Sequence, residues 1–179
     1  MSESEKPSRG KPLRPRTAGP LRRSVLHVDA RGRARMVDVG EKGSTRRVAV
    51  ARGAVAMGKV AYEALASGRL AKGDAMAVAR LAGIQAAKRT SEIVPLCHSL
   101  ALESVEVDVT LVRARREAVI TATARITGKT GVEMEALTAV AAACLAVYDM
   151  VKAMDRAAVI KEILLLEKSG GRSGTYRRS

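Results

Sequence analysis

The feature that most constrains this chain is a stretch without charge. Residues 136–148 run 13 positions with no Lys, Arg, Asp or Glu, in a chain of 179 residues whose formal net charge is +14. They sit inside a longer segment, 131–154, that predicts a single helix. A membrane span needs about 20 apolar residues, so this core is too short to be read as one. A helix apolar on every side must instead be buried, in a core or at a subunit interface.

The flanking segments supply a sheet. Over 103–112 the alternation is strict, with Val105, Val107, Val109 and Leu111 on one face and Glu106, Asp108 and Thr110 on the other. The charged run 113–117 predicts a hairpin turn, and a second strand follows at 118–127 with Ile120, Ala122, Ala124 and Ile126 inward. Upstream, short strands are expected at 33–39 and 47–50, and a short helix at 53–67 closed by Gly68. Met76, Val78 and Arg80 alternate with Ala over 74–81, which predicts a strand. A helix over 83–93 must stop before Pro95, and a last strand is expected at 158–167.

From Asp74 onward the order is therefore β-α-β-β-α-β. That order predicts an α+β fold of the ferredoxin-like, split βαβ kind, an antiparallel sheet with helices on one face. The other sheet face stays bare unless another chain covers it, so an oligomer is expected.

Most of the basic excess lies outside this frame. Residues 1–24 carry +5 and residues 168–179 carry +4, which leaves +5 for 25–167. The first segment also holds four of the five prolines and predicts a disordered basic arm. A single domain is expected over 25–167, and a flexible Gly/Ser/Arg tail over 168–179. No apolar stretch follows the early basic residues, so no signal peptide is expected. With two cysteines, no disulfide framework is expected and a reduced, cytoplasmic setting follows. Basic arms contact nucleic acid non-specifically, but aromatic residues make up only 2% of the chain, which argues against base-stacking platforms.

Several local patterns carry chemistry. The run from Thr127 to Gly131 ends like a phosphate loop, but the Walker pattern needs glycine at position 123, which is Thr123. What survives is a glycine-flanked turn into a helix, able to receive an anion at its amides or simply to turn the chain. Cys97 and His98 lie side by side on a loop after a helix, where adjacent side chains rarely converge. Glu133 suits the first turn of a helix through the macrodipole; Glu135 projects elsewhere and lacks that excuse. Asp149 and Lys152, three apart, share a helix face and can tune one another for proton transfer. Lys72, Arg47 and Lys168 are further cations near element ends. Glu135 and Asp149 stand 14 residues apart, about 21 Å along a helix. One small site on one chain cannot use both ends, so a site shared between subunits is expected.

In order along the chain, Met36–Val39, Lys72–Asp74, Ala82–Thr90, Pro95–His98, Thr127–Thr138, Tyr148–Met150 and Lys168–Gly171 resemble the MoaC family of cyclic pyranopterin monophosphate synthases, which act in molybdenum cofactor biosynthesis. The resemblance covers about residues 25–175. It implies a ferredoxin-like homohexamer, a trimer of dimers with active sites at a dimer interface, acting on 3′,8-cyclised dihydroguanosine triphosphate. The implied reaction, of the lyase class, rebuilds the ring system as a pyranopterin, closes a cyclic phosphate and releases pyrophosphate.

Residue by residue, the resemblance makes Lys152 a general acid with Asp149 as its partner and Lys72 beside them. It assigns Leu96, Cys97, His98, Glu133, Met134, Glu135, Arg47 and Lys168 to substrate binding. No cofactor and no protein-held metal is implied; magnesium can arrive with the phosphates. Ser99 stands where many relatives have Pro, and Val151 where many have Cys; neither is a proposed catalytic group. The alternative is a non-catalytic nucleotide- or nucleic-acid-binding protein using its basic arms.

Overall fold

The structure is a computed structural model that describes residue 31 and residues 33–179. The basic arm expected over 1–24 lies outside the described residues. The elements are β1 (Thr45–Ala56), α1 (Lys59–Ala66), α2 (Ala75–Lys88), α3 (Thr90–Ile93), β2 (Ser104–Val112), β3 (Glu117–Gly128), α4 (Glu133–Val151), β4 (Val159–Ile160), β5 (Leu164–Ser169) and β6 (Tyr176–Arg177). The fold is α+β, with an antiparallel sheet in the order β2-β3-β1-β5-β6 and β4 paired to β1.

The inner sheet face is built from small residues in register. Ala49, Ala51, Gly53 and Val55 of β1 lie opposite Ala124, Ala122, Ile120 and Ala118 of β3, which in turn face Val105, Val107, Val109 and Leu111 of β2. With so few side-chain atoms on this face, the helices come close. A Cβ on Gly53 would meet Val140 Cγ1 at 2.8 Å and Cys144 Sγ at 3.2 Å, so β1 and α4 fit only because that Cβ is missing. Gly83 does the same for α2, where a Cβ would lie 2.9 Å from the backbone oxygen of Ala139. Both helices therefore cover one face of the sheet. The opposite face carries exposed Arg52, Glu106, Asp108 and Thr110.

α4 has 19 residues and is long and apolar enough to cross a membrane by length and composition alone. Its Ala136, Ala139, Val140, Ala143, Cys144 and Val147 are fully buried against the sheet and α2, so it is the core helix of this fold.

Two expected strands are absent from the described residues. The segment 74–81 is the start of α2. Asp74 caps it, with Oδ1 accepting from the backbone N–H groups of Met76 (2.9 Å) and Ala77 (3.0 Å), and the buried row is Ala75, Ala79, Gly83, Ala87. Alanine occupies both the true helical face and the apparent alternation, so the period of two is illusory. The segment 33–39 holds only a single bridge residue, at Ala34.

The opening strand of the β-α-β-β-α-β order is instead β1, which extends from Thr45 to Ala56 and takes in residues assigned to the early helix. That helix begins only at Lys59, and Gly68 closes it with φ +67°. The last strand divides into β4 and β5, and β5 runs past Glu167 to Ser169. Tyr176 then returns opposite Lys168 in β6.

Candidate active site

The unbroken α4 puts its two ends at opposite sides of the molecule, and each end carries a cluster. At its N-terminus a cavity of about 550 Å³ is lined by Leu96, Cys97 and His98 from the loop after α3, by Glu133, Met134 and Glu135 from the first turn of α4, and by Val37, Val39 and Lys42. The two binding segments expected from the sequence, 96–98 and 133–135, thus meet in one place.

Within this cavity Glu135 is almost fully buried. Burial pushes its carboxyl up to about 7; its own backbone N–H opposes the rise and the like charge of Glu133 adds to it. Burial, and then the nearby Glu135 carboxylate, also raise the Cys97 thiol. His98 Nε2 lies 2.9 Å from the backbone oxygen of Val37; because a carbonyl only accepts, Nε2 is the protonated nitrogen.

The turn entering α4 already holds an anion of its own. Glu133 pairs with Lys168 Nζ at 3.0 Å, and its carboxylate lies over Gly131, where a Cβ would collide with it. Arg47 braces the same turn, donating from Nε to Gly128 O (2.9 Å) and from Nη2 to Lys129 O (3.1 Å). Lys129 Nζ in turn donates to Gly40 O at 2.7 Å. Gly170 and Gly171 both have positive φ, and a Cβ on either would run into Arg46 or Arg47. The Ser-Gly-Gly segment, expected as part of a flexible tail, is here packed on β1, and Lys168 Nζ also donates to Ser173 Oγ. Arg47 and Lys168 both retain unused N–H donors in this arrangement.

At the C-terminus of α4 one carboxylate bridges two ammonium groups. Asp149 Oδ2 lies 2.6 Å from Lys72 Nζ, and Asp149 Oδ1 lies 2.7 Å from Lys152 Nζ. Lys72 also donates to the backbone oxygen of Asp149 at 3.0 Å. The hydrogen bond from Lys152, then that from Lys72, hold the Asp149 carboxyl down to about 2; in return Asp149 raises the Lys152 ammonium. The two lysines border a second cavity of about 370 Å³, together with Tyr148, Ala153 and Arg156.

Every candidate residue named from the sequence therefore falls into one of two clusters, three at the C-terminal end of α4 and eight at or beside its N-terminal end. Lys42 and Arg156 were missed. Each is a single cation in an irregular segment, where no periodicity marks a side chain that faces a cavity.

A cavity holding a buried carboxyl at one end of a core helix and a carboxylate clamped by two lysines at the other define a class: a small α+β protein with the groups that acid–base chemistry on a polar small molecule would need. The sequence profile of the MoaC family matches residues 36–171. The cyclic pyranopterin monophosphate synthase of Thermomicrobium roseum is 58% identical over 154 residues, covering 86% of this chain and 93% of that protein. The protein of the same name from Heliobacterium modesticaldum is 55% identical over 154 residues, 86% of this chain and 97% of that one. The Molybdenum cofactor biosynthesis protein 1 of Bos taurus is 53% identical over 165 residues, 91% of this chain but 26% of that longer protein. The chain belongs to the MoaC family.

Proposed function

We propose that the chain is a cyclic pyranopterin monophosphate synthase, a lyase that converts 3′,8-cyclised dihydroguanosine triphosphate to cyclic pyranopterin monophosphate and pyrophosphate in molybdenum cofactor biosynthesis. The observation that carries this reading is Asp149 clamped between Lys72 and Lys152, in a chain more than half identical to proteins of that name. The two bacterial relatives carry synthase names, and nothing favours the non-catalytic alternative.

Opening and reclosing rings requires protons to be delivered to and removed from ring atoms. Lys152 is suited to deliver one: Asp149 favours its ammonium form, so the amine stays charged at neutral pH. Lys72 holds the other oxygen of Asp149 and adds positive charge beside any oxyanion that forms. At the other cluster, a Glu135 carboxyl near 7 accepts hydrogen bonds from guanine-derived N–H groups when ionised. The spare donors of Arg47 and Lys168, with His98, offset the charge of the departing pyrophosphate. Leu96, Cys97 and Met134 shape the wall around it. No three His, Cys, Asp or Glu side chains among the described residues gather as a metal site; any magnesium would travel with the phosphates.

Both clusters act on one substrate only if a second chain brings its α4 alongside in the opposite sense. The two ends are about 21 Å apart on a straight helix, longer than the reacting part of a nucleotide. A homohexamer built as a trimer of dimers, each subunit a ferredoxin-like split βαβ unit, meets this requirement. The strand order β2-β3-β1-β5 around α2 and α4 supports the ferredoxin-like description.

The test is to give purified protein the cyclised triphosphate and follow pyrophosphate. Wild type releases it and Lys152→Ala does not, with the oligomer intact; full turnover by Lys152→Ala would remove that lysine from the mechanism.

A further inference from the structure

Arg156 borders the C-terminal cavity alongside Lys72 and Lys152, yet the proton relay does not use it. The turn that carries it is fastened on both sides. After α4, Asp155 Oδ2 accepts from the backbone N–H of Gly58 (2.7 Å) and Asp155 Oδ1 from that of Ala157 (2.9 Å). The hydroxyl of Tyr148 donates to the backbone oxygen of Arg156 itself (3.3 Å). The turn is thereby tied to the start of α1 and to the last turns of α4.

The side chain is a different matter. Lys72 and Lys152 both already face Asp149, whereas the Arg156 guanidinium has no side-chain hydrogen bond or ion pair among the described residues. Three cations border this cavity, and the one carboxylate beside them is shared by the two lysines, so Arg156 is the cation left without a counter-charge among the described residues. A guanidinium presents its N–H groups as a planar fork matched to two oxygens of one phosphate.

We propose that Arg156 is a substrate-binding residue that takes phosphate oxygens of the nucleotide-derived substrate, contributed from the lysine end of the shared site. The assignment rests on the synthase reading for the identity of the substrate, but not for the phosphate contact itself.

The experiment uses the full chain and two readouts. Inorganic pyrophosphate is titrated calorimetrically into wild type, Arg156→Gln and Arg156→Lys, and the same proteins are assayed on the cyclised triphosphate. Loss of one charge-assisted contact predicts pyrophosphate binding weaker by about tenfold in Arg156→Gln, with a matching rise in KM and a much smaller fall in kcat. Arg156→Lys recovers part of both. Arg156 is exposed, so the melting temperature of all three stays the same, which separates a lost contact from a lost fold.

Unchanged pyrophosphate affinity and KM in Arg156→Gln would overturn the proposal. If wild type shows no turnover, the synthase reading fails, and the pyrophosphate titration still decides Arg156 by itself: weakened binding supports the contact, and equal binding rejects it.

Discussion

Asp149 and Glu135 are both carboxylates on α4, and their surroundings drive them in opposite directions. Asp149 is exposed and held by two lysines, which keeps it ionised far into acid. Replacing it with Asn removes the charge that favours the Lys152 ammonium, so the alkaline limb of the kcat profile should move to lower pH in Asp149→Asn. An unmoved limb would show that Asp149 does not set the proton affinity of Lys152.

Glu135 is buried and its carboxyl sits near 7, above the ordinary value for an unfolded chain. The folded state therefore keeps a proton that the unfolded state has released, and stability falls as pH rises from about 4.5 to about 7. Glu135→Gln keeps the shape without the charge. Its melting temperature should exceed that of wild type at pH 8, with the difference shrinking towards pH 5; a constant difference across that range would contradict the buried-carboxyl account.

At the scale of elements, the fold depends on positions where atoms are missing. Gly83→Ala puts a Cβ against the backbone oxygen of Ala139 and against Val107, neither of which can swing away freely, so α2 must shift off α4. A loss of about 1–3 kcal/mol in denaturant unfolding is expected. Asp74→Ala removes the cap of α2 and should cost about 1 kcal/mol.

The same crowding by small residues explains what the sequence hides. The β2–β3 hairpin and α4 are legible because Val, Ile and charged residues alternate or vanish along them. The first half of α2 is not, because the alanines at 75, 77 and 79 mimic an alternation, and the Asp74 cap is the local sign of a helix start; its second half falls within the helix expected over 83–93. Part of the strand β1 likewise reads as helix, since Gly53 and Ala54 carry no β signature; it is a strand because its N–H and C=O groups pair with β3 along the whole register. The candidate site is more legible than the fold around it. Lys72, Asp149 and Lys152 form a mutual contact, and 96–98 meets 133–135, although the segments are far apart in the chain. Lys42 and Arg156 escape because nothing in an isolated cation marks which cavity it borders.

At the scale of the whole molecule, a single fact organises the rest: α4 is continuous and central, so the Glu135 cluster and the Asp149 cluster of one chain lie about 21 Å apart along it, too far for one small molecule to touch both. In the proposed synthase, one site is assembled from the two ends of α4 on different chains.

Mixing unfolded Lys152→Ala and Glu135→Ala subunits, refolding them together, and following pyrophosphate and the cyclic pterin by mass spectrometry tests that claim directly. Each variant alone should be inactive. The mixed oligomer should regain part of wild-type turnover, since some interfaces then pair an intact acidic end with an intact lysine end. Wild-type turnover with no recovery in the mixture, in oligomers shown to contain both variants, would contradict it.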